Sequence, residues 1–394
     1  IYRCADARAH ARHPMEGHRQ SMGHLWEWAS RHILGESSEA GKVMGLAGFG
    51  NPDTYRDLDA MGVGEDGRLE VRFERLYERF GAPAPRPSAA MEDQSLADIA
   101  ADIQDRTNGT LLDLCRFLRG RFEAPQLCYS GGVALNGLAN EHVIRAGLFE
   151  EVFQNGSCED NGTAIGAALA VHHALTGGRV AEPVTDYYGR AYSDAEAAAA
   201  FARYHVPAET LDREGLLARA AKGIAAGKVI GWHQGRGEFG PRALGNRSIL
   251  ADARSTAIKA VLDTKVKRRE PYRPYAPAVP LDVAGEYFDL EGSSPVMIRV
   301  GYARDDRLPA VTHVDRTARV QTVMPEGNAL FHDLLWAVGR ETGIPVVLNT
   351  SFNVAGEPIV ETPEDAIRTF LHSGMDELYI GHNVAARPGK PAQK

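Results

Sequence analysis

The sequence predicts an α/β protein built of two units, and three observations carry that expectation. Apolar runs of strand length alternate with segments of helical period from about residue 94 onward. Glycines close many of those segments. Between them lies TGGRVAEPVTDYYGRAYSD, residues 176 to 194, which has turn residues and little period and reads as a boundary. The chain has 394 residues, enough for two or three cores, and a net charge of −8. A general polyanion-binding surface is therefore not expected, and neither a nucleic-acid nor a membrane partner is. No apolar run approaches the roughly 18 residues of a membrane span, so the expected address is the cytoplasm. Cys4, Cys115, Cys128 and Cys158 have no paired spacing, which predicts free thiols. The chain starts at Ile1, and its opening IYRCADARAHARHPMEGHRQ lacks a clear period, so an N-terminal truncation is expected.

In the first half, QSLADIAADIQDRTNGTLLDLCRFLRG (94–120) predicts a long helix, or a pair broken at Asn108-Gly109. The strand QLCYSGG, the helix ALNGLANEHVIRAG, the strand EEVFQ, the loop NGSCEDNG and the helix TAIGAALAVHHAL follow, as in a doubly wound layer. In the second half the expected order is the helix EGLLARAAKGIAAG, the strand KVIGWH, a loop, the strand SILAD, the helix TAIKAVLDTKVKR, the strand VMIRVGYA, the helix NALFHDLLWAVGRETG and the strand IPVVLNTSF. Thr362-Pro363-Glu364-Asp365 then caps one more helix.

Two cationic segments stand out in an acidic chain. GEFGPRALGNRSILADAR (237–254) sets Arg242 and Arg247 beside Gly240, Pro241 and Gly245, with Arg236 just ahead and Glu238 as an anchor for a guanidinium. KVKRREPYRPYAP holds Lys265, Lys267, Arg268, Arg269 and Arg273, with Lys265 and Arg268 one helical turn apart. Guanidinium forks on stiff backbone suit phosphate or carboxylate; a solvated basic helix end is the plainer alternative. Asn349, Ser351 and Asn353, where a strand runs into a loop, can grip a ligand or form an Asx-turn. In the first half, Ser130-Gly131-Gly132 offers free amides between a strand and a helix. Asp160 is a helix cap or a metal-phosphate bridge. Lys42, in the glycine-rich EAGKVMGLAGFG, meets a phosphate or a surface carboxylate. The histidines His10, His13, His18, His24 and His32 have no paired-ligand motif.

Taken in order, EAGKVMGLAGFG, YSGGVALNG, CEDNGTAIGAAL, GEFGPRALGNRSILADAR, KVKRREPYRPYAP, ARVQTV and LNTSFNVAGEPIVETPEDAI resemble the O-carbamoyltransferases of the nodulation protein U and cephem or aminoglycoside carbamoyltransferase type. The resemblance implies a partial actin-like (ASKHA) ATPase-fold domain over 1–178, a linker over 179–193, a YrdC-like α/β domain over 194–385 and a tail over 386–394. It implies that the YrdC-like domain makes carbamoyl-adenylate from carbamoyl phosphate and ATP, with Mg2+ on the nucleotide. The first domain would then pass the carbamoyl group to a small-molecule hydroxyl acceptor. On this basis Arg242, Lys267, Arg273 and Arg319 are the candidate catalytic residues. Lys42, Gly131, Gly132, Asn136, Arg247, Lys265, Arg268, Asn349, Ser351 and Asn353 are the candidate binding residues. Asp160 is implied as one ligand of a divalent metal, Fe2+, whose two histidine ligands belong to a segment before GKVMGLA and are not found here. The alternatives are a transferase of the tRNA threonylcarbamoyladenosine type, against which the charge argues, and an inactive nucleotide-binding remnant. The acceptor and the oligomeric state are not encoded in any motif.

Overall fold

The apolar positions of residues 94–121 fall on one continuous helix of 28 residues, Gln94–Arg121, in the computed structural model, which describes residues 2–4, 9–11, 17–82, 93–180 and 186–387. Asn108 and Gly109 do not break it. The Asn108 side chain accepts a bond from Gln104 one turn back, at 2.7 Å. Thr107, Thr110 and Leu111 around it are buried, so packing outweighs weak helix propensity. The chain divides into two units, residues 1–184 and 185–394. The side chains of His10 and His13, the linker residues 181–185 and the tail from 388 lie outside the described residues.

In the first unit the long helix is α4, after α1 (Met22–Leu34), α2 (Ala40–Ala47) and α3 (Phe73–Phe80), and before α5 (Gly137–Arg145) and α6 (Gly162–Thr176). α4 packs against α1, α2 and α5. Trp26 donates to Thr107 at 3.1 Å across the α1–α4 seam. Two antiparallel hairpins, β1 (Tyr2–Cys4) with β2 (Ala9–Ala11) and β3 (Met61–Val63) with β4 (Leu69–Val71), precede a parallel pair, β5 (Gln126–Cys128) with β6 (Glu151–Phe153). The doubly wound layer expected here is represented among the described residues by that one parallel pair. α6 has no buried residue, and its Leu175 is 81% exposed.

The second unit is a three-layer sandwich. Its elements are α7 (Asp194–Arg203), β7 (Glu209–Thr210), α8 (Arg213–Ala225), β8 (Ile230–His233), β9 (Arg247–Asp252), α9 (Thr256–Val261), β10 (Ala276–Pro280), α10 (Ala284–Tyr287), β11 (Phe288–Asp289), β12 (Gly301–Ala303), β13 (Thr317–Ala318), β14 (Gln321–Val323), α11 (Pro325–Thr342), β15 (Val347–Ser351), α12 (Pro363–His372), β16 (Glu377–Ile380) and β17 (Asn383–Ala386). Eight strands form a mixed sheet in the order β14-β10-β15-β9-β8-β16-β17-β7, and β11-β12-β13 form a small antiparallel one. The period of two along each strand decides which helix layer a side chain joins. Ile249, Ala251, Leu348, Leu378 and Ile380 pack with Phe201 of α7 and Ile367 and Phe370 of α12. Ile230, Trp232, Leu250, Val347 and Tyr379 pack with Leu216 and Ala220 of α8 and Phe331, Leu334 and Leu335 of α11.

Three local structures depart from the sequence expectation. The strand VMIRVGYA shrinks to Gly301–Ala303. The helix over TAIKAVLDTKVKR ends as α9 at Val261 and continues as a π-turn, Leu262–Val266. β10 is an interior strand carrying Pro277 and Pro280, a position that prolines normally exclude.

The caps behave as the sequence indicates: Thr362 accepts from Asp365 N while the Asp365 carboxylate accepts from Thr362 N. Replacing Thr362 with Ala is expected to lower stability by about 1 kcal/mol in a denaturant titration. Between β8 and β9, Gly245 sits at φ 103°, and a Cβ there would run into the Phe331 ring. Gly245→Ala is expected to lose about 2–4 kcal/mol in the same titration, because strain and overpacking add.

Candidate anion cleft of the second unit

β8 and β9 pair with His233 opposite Arg247, so residues 234–246 form a long connection at the end of the sheet. Its shape is set from inside. Oε1 of Glu238 accepts the backbone N–H of Leu244 (2.6 Å), Asn246 (2.9 Å) and Arg247 (3.2 Å). Glu238 thus gathers amides, where the sequence suggested a guanidinium partner, and burial holds its carboxyl above the ordinary range.

Arg247 is 1% exposed, and its guanidinium donates to the carbonyls of Gln234, Gly235, Asn246, Arg190 and Glu361. All three of its nitrogens are engaged with backbone, so in this structure Arg247 braces the loop from below. A strap, residues 186–190, crosses the loop. Phe239 N donates to the Asp186 carbonyl and Gly189 N to that of Gly237, while the Tyr187 hydroxyl donates to the Leu244 carbonyl at 2.9 Å.

Arg242 projects from this braced loop, and three further cations approach from other elements. Arg319 lies between β13 and β14, and Arg269 and Arg273 follow the π-turn. Burial, then the like charges of Arg242, Arg269 and Arg273, push the Arg319 guanidinium well below its ordinary pKa. Among the described residues the Arg319 side chain makes neither an ion pair nor a hydrogen bond, and its Nε is sealed from solvent. Arg269 lies 3.8 Å above the Tyr275 ring and reaches Asp263, which Tyr275 and Lys259 also bind.

Lys267 is 7% exposed, and its ammonium donates to Ser351 O (2.7 Å) and Oγ (3.1 Å) and to Asn353 O (3.0 Å) and Oδ1 (2.6 Å). Burial first, then Arg269 and Arg273, push it from 10.5 down to about 7. Asn349, one rung earlier on β15, donates to Ala243 O (3.2 Å) and Gln321 Oε1 (2.8 Å), and Gln321 donates in turn to Leu244 O (2.8 Å).

The structure therefore gathers Arg242, Arg273, Arg319, Lys267, Ser351 and Asn353 into one region, with Asn349 tied to the loop beneath Arg242. It does not bring Lys265 and Arg268 there. Both are exposed, because the π-turn and the positive φ of Arg268 (46°) replace the regular helical turn that would align them. Arg269, Gln321 and Tyr187 were not singled out as site residues by sequence reasoning. Arg269 stood inside the basic cluster, whereas Gln321 and Tyr187 carry no motif.

In the first unit Gly131 N donates to the Cys158 carbonyl at 2.6 Å, and Ser130 Oγ to the same oxygen at 2.9 Å. The loops after β5 and β6 thus meet, as expected for turns at the ends of neighbouring parallel strands. Gly132 opens the 3-10 turn that follows, at whose end Asn136 caps α5 through Ala139 N and exchanges amide bonds with Gln104. Lys42 pairs with Glu39 at 3.0 Å. Asp160 is exposed at the start of α6, and its carbonyl accepts from Thr163. Among the described residues no group of three His, Cys, Asp or Glu side chains could hold a metal ion. The donors around Asp160 do not form the three-ligand site that the resemblance implies.

No helix of the described residues is long and apolar enough to cross a membrane. Sequence comparison matches residues 5–169 to the carbamoyltransferase N-terminus and residues 221–387 to the carbamoyltransferase C-terminus. Nodulation protein NolO of Bradyrhizobium diazoefficiens is 38% identical over 361 residues, covering 86% of this chain and 64% of that protein. A 3'-hydroxymethylcephem-O-carbamoyltransferase of Streptomyces clavuligerus is 33% identical over 356 residues, 87% of this chain and 64% of the relative. An uncharacterized protein of Synechocystis sp. is 36% identical over 407 residues, 90% of this chain and 65% of the relative. The chain thus spans just under two thirds of the length of these relatives. Because consecutive halves of one family pattern fall in order on the two units, the arginine loop and the basic turn included in the second, the chain belongs to the carbamoyltransferase family.

Proposed function

We propose that the second unit binds carbamoyl phosphate and ATP, and that the protein serves O-carbamoyl transfer to a hydroxyl of a small-molecule acceptor. One observation carries the first part: the Arg319 guanidinium, buried among Arg242, Arg269 and Arg273 with no acidic partner among the described residues. Desolvated like charges are costly, and a bound anion is what offsets them. Phosphoryl oxygens fit best, because forked guanidiniums from separate segments can hold several oxygens at once. Arg242, Arg273 and Arg319 would neutralise charge on the phosphates. Lys267, held by Ser351 and Asn353, would add a proton-bearing contact whose charge depends on the ligand. Family membership supports the acceptor chemistry, since one relative is named for a hydroxymethylcephem. We assign carbamoyl-adenylate formation to residues 194–385 and the transfer step to the first unit. The loops at Gly131 and Asp160 are the proposed place of transfer, and no metal-dependent step is assigned to them.

The test is pyrophosphate release that depends on both carbamoyl phosphate and ATP. Arg319→Ala is expected to lose about 1.5–3 kcal/mol of ligand binding, the worth of a charge-assisted contact. Arg304→Ala is the control. Its side chain is half exposed, donates to the Gly285 carbonyl and faces Asp289 at 3.6 Å, so little should change. Equal effects at the two positions would refute the cleft.

A pH profile tests Lys267 separately. Its folded value near 7 lies below the ordinary 10.5. Below about pH 7 the ligand-free fold bears the full penalty of the buried ammonium, and the penalty fades as pH rises toward the ordinary value. A bound anion favours the same ammonium, so binding takes up a proton. Carbamoyl phosphate affinity is expected to fall as pH rises from about 6 to about 9, and Lys267→Met to flatten that slope. Identical slopes in calorimetry would remove Lys267 from the cleft.

A further inference from the structure

Arg242 stands beside a second, buried cation, Arg319. Arg319 is near enough for the two guanidiniums to repel, so where Arg242 points depends on how firmly its loop is held. The backbone of the two residues that follow Arg242 is held from both sides. The N–H of Leu244 is taken by Glu238 Oε1, which also takes those of Asn246 and Arg247. The carbonyl of Leu244 receives both the Tyr187 hydroxyl and the Gln321 amide, and the carbonyl of Ala243 receives the Asn349 amide. Side chains from four segments thus converge on one dipeptide beside one arginine.

Glu238 is the unusual member. Its second oxygen, Oε2, is sealed from solvent with no hydrogen-bond partner, so the carboxylate is retained at a cost to stability. A cap for three amides does not need a charge. A negative charge buried under a cationic cleft does, however, lower the repulsion that Arg242 and Arg247 would otherwise meet, and it lies close enough to Arg247 to be felt there.

We propose that Glu238 is a positioning residue of the anion cleft: by closing residues 238–247 around its carboxylate it keeps Arg242 facing Arg319, and the Tyr187 hydroxyl locks the same segment from the carbonyl side. The proposal rests on the anion-cleft function assigned above to the second unit. It adds that affinity for the phosphoryl ligand depends on a residue that does not touch that ligand.

The experiment is a double-mutant cycle on the 394-residue chain, with carbamoyl phosphate as the probe in calorimetry and urea unfolding of every variant alongside. Arg242→Ala and Glu238→Ala should each weaken binding about tenfold, and the double variant should be no weaker than Arg242→Ala alone, since Glu238 acts through Arg242. Glu238→Gln keeps an oxygen for the three amides and should recover at least half of the lost affinity on a logarithmic scale. Should Glu238→Ala fail to fold, Tyr187→Phe removes one hydroxyl and runs the same cycle. Its loss of about threefold should vanish when residue 242 is Ala. Multiplying losses in either double variant would show a general structural role and overturn the proposal. So would wild-type affinity in Glu238→Ala while Arg242→Ala is weakened. Wild-type affinity in Arg242→Ala would instead overturn the anion cleft itself, and the positioning role with it.

Discussion

Repulsion around one buried cation, Arg319, is the constraint on which the second unit is organised. Left to itself, the Arg319 guanidinium would not stay beside Arg242, Arg269 and Arg273, because solvent screens charge better than protein does. Two of those neighbours are held by groups of the fold, and Arg273 faces Glu270 at 3.8 Å. Arg269 rests on the Tyr275 ring and is drawn back by Asp263. The Arg242 loop is braced below by Arg247 and crossed by the strap of residues 186–190. Cohesion of this kind combines charge-assisted hydrogen bonds to backbone carbonyls, packing on an aromatic ring and the Arg269–Asp263 ion pair.

The same logic separates neighbouring residues of identical type. Lys265 and Lys267 are two positions apart, yet one is exposed and the other is clasped by four oxygens of Ser351 and Asn353. Arg242 in the loop and Arg247 at the start of β9 are five positions apart, yet Arg242 lies beside Arg319 whereas Arg247 is spent on backbone carbonyls. In both cases the distinction arises from how the chain turns. The π-turn ahead of Lys267 inserts an extra residue per turn and rotates the following side chains away from regular helical alignment.

Much of this was legible in the sequence, for identifiable reasons. The two-unit α/β organisation follows from local period and turn residues, the α12 capping box from a four-residue pattern, and the cationic loop from its composition against an acidic background. Other features were not, because they depend on partners far away in the chain. Arg319 is separated from Arg273 by four strands, β10 to β13, and the short helix α10, so nothing local marks it beyond its family motif. The use of Glu238 as an acceptor of three amides depends on the fold of the loop itself. α4 reads as interrupted at Asn108-Gly109 because propensity is local, whereas the burial that carries the helix through is not.

β10 was invisible for the opposite reason: it violates a rule that usually holds. Its two prolines occupy rungs where the ladder is one-sided, since Pro277 pairs only with β15 and Pro280 only with β14. They are three positions apart, an odd offset, so their nitrogens point to opposite edges of the strand. Each neighbour therefore meets a position that cannot donate if it slides further along β10. The prolines act as end-stops, one for each neighbouring strand. A slip of two residues is the smallest that keeps apolar faces inward, and it is blocked in the direction that would lengthen either ladder. Asn349 and Gln321 sit on the two strands so arrested, and their reach to the carbonyls of Ala243 and Leu244 is thereby measured from a fixed origin.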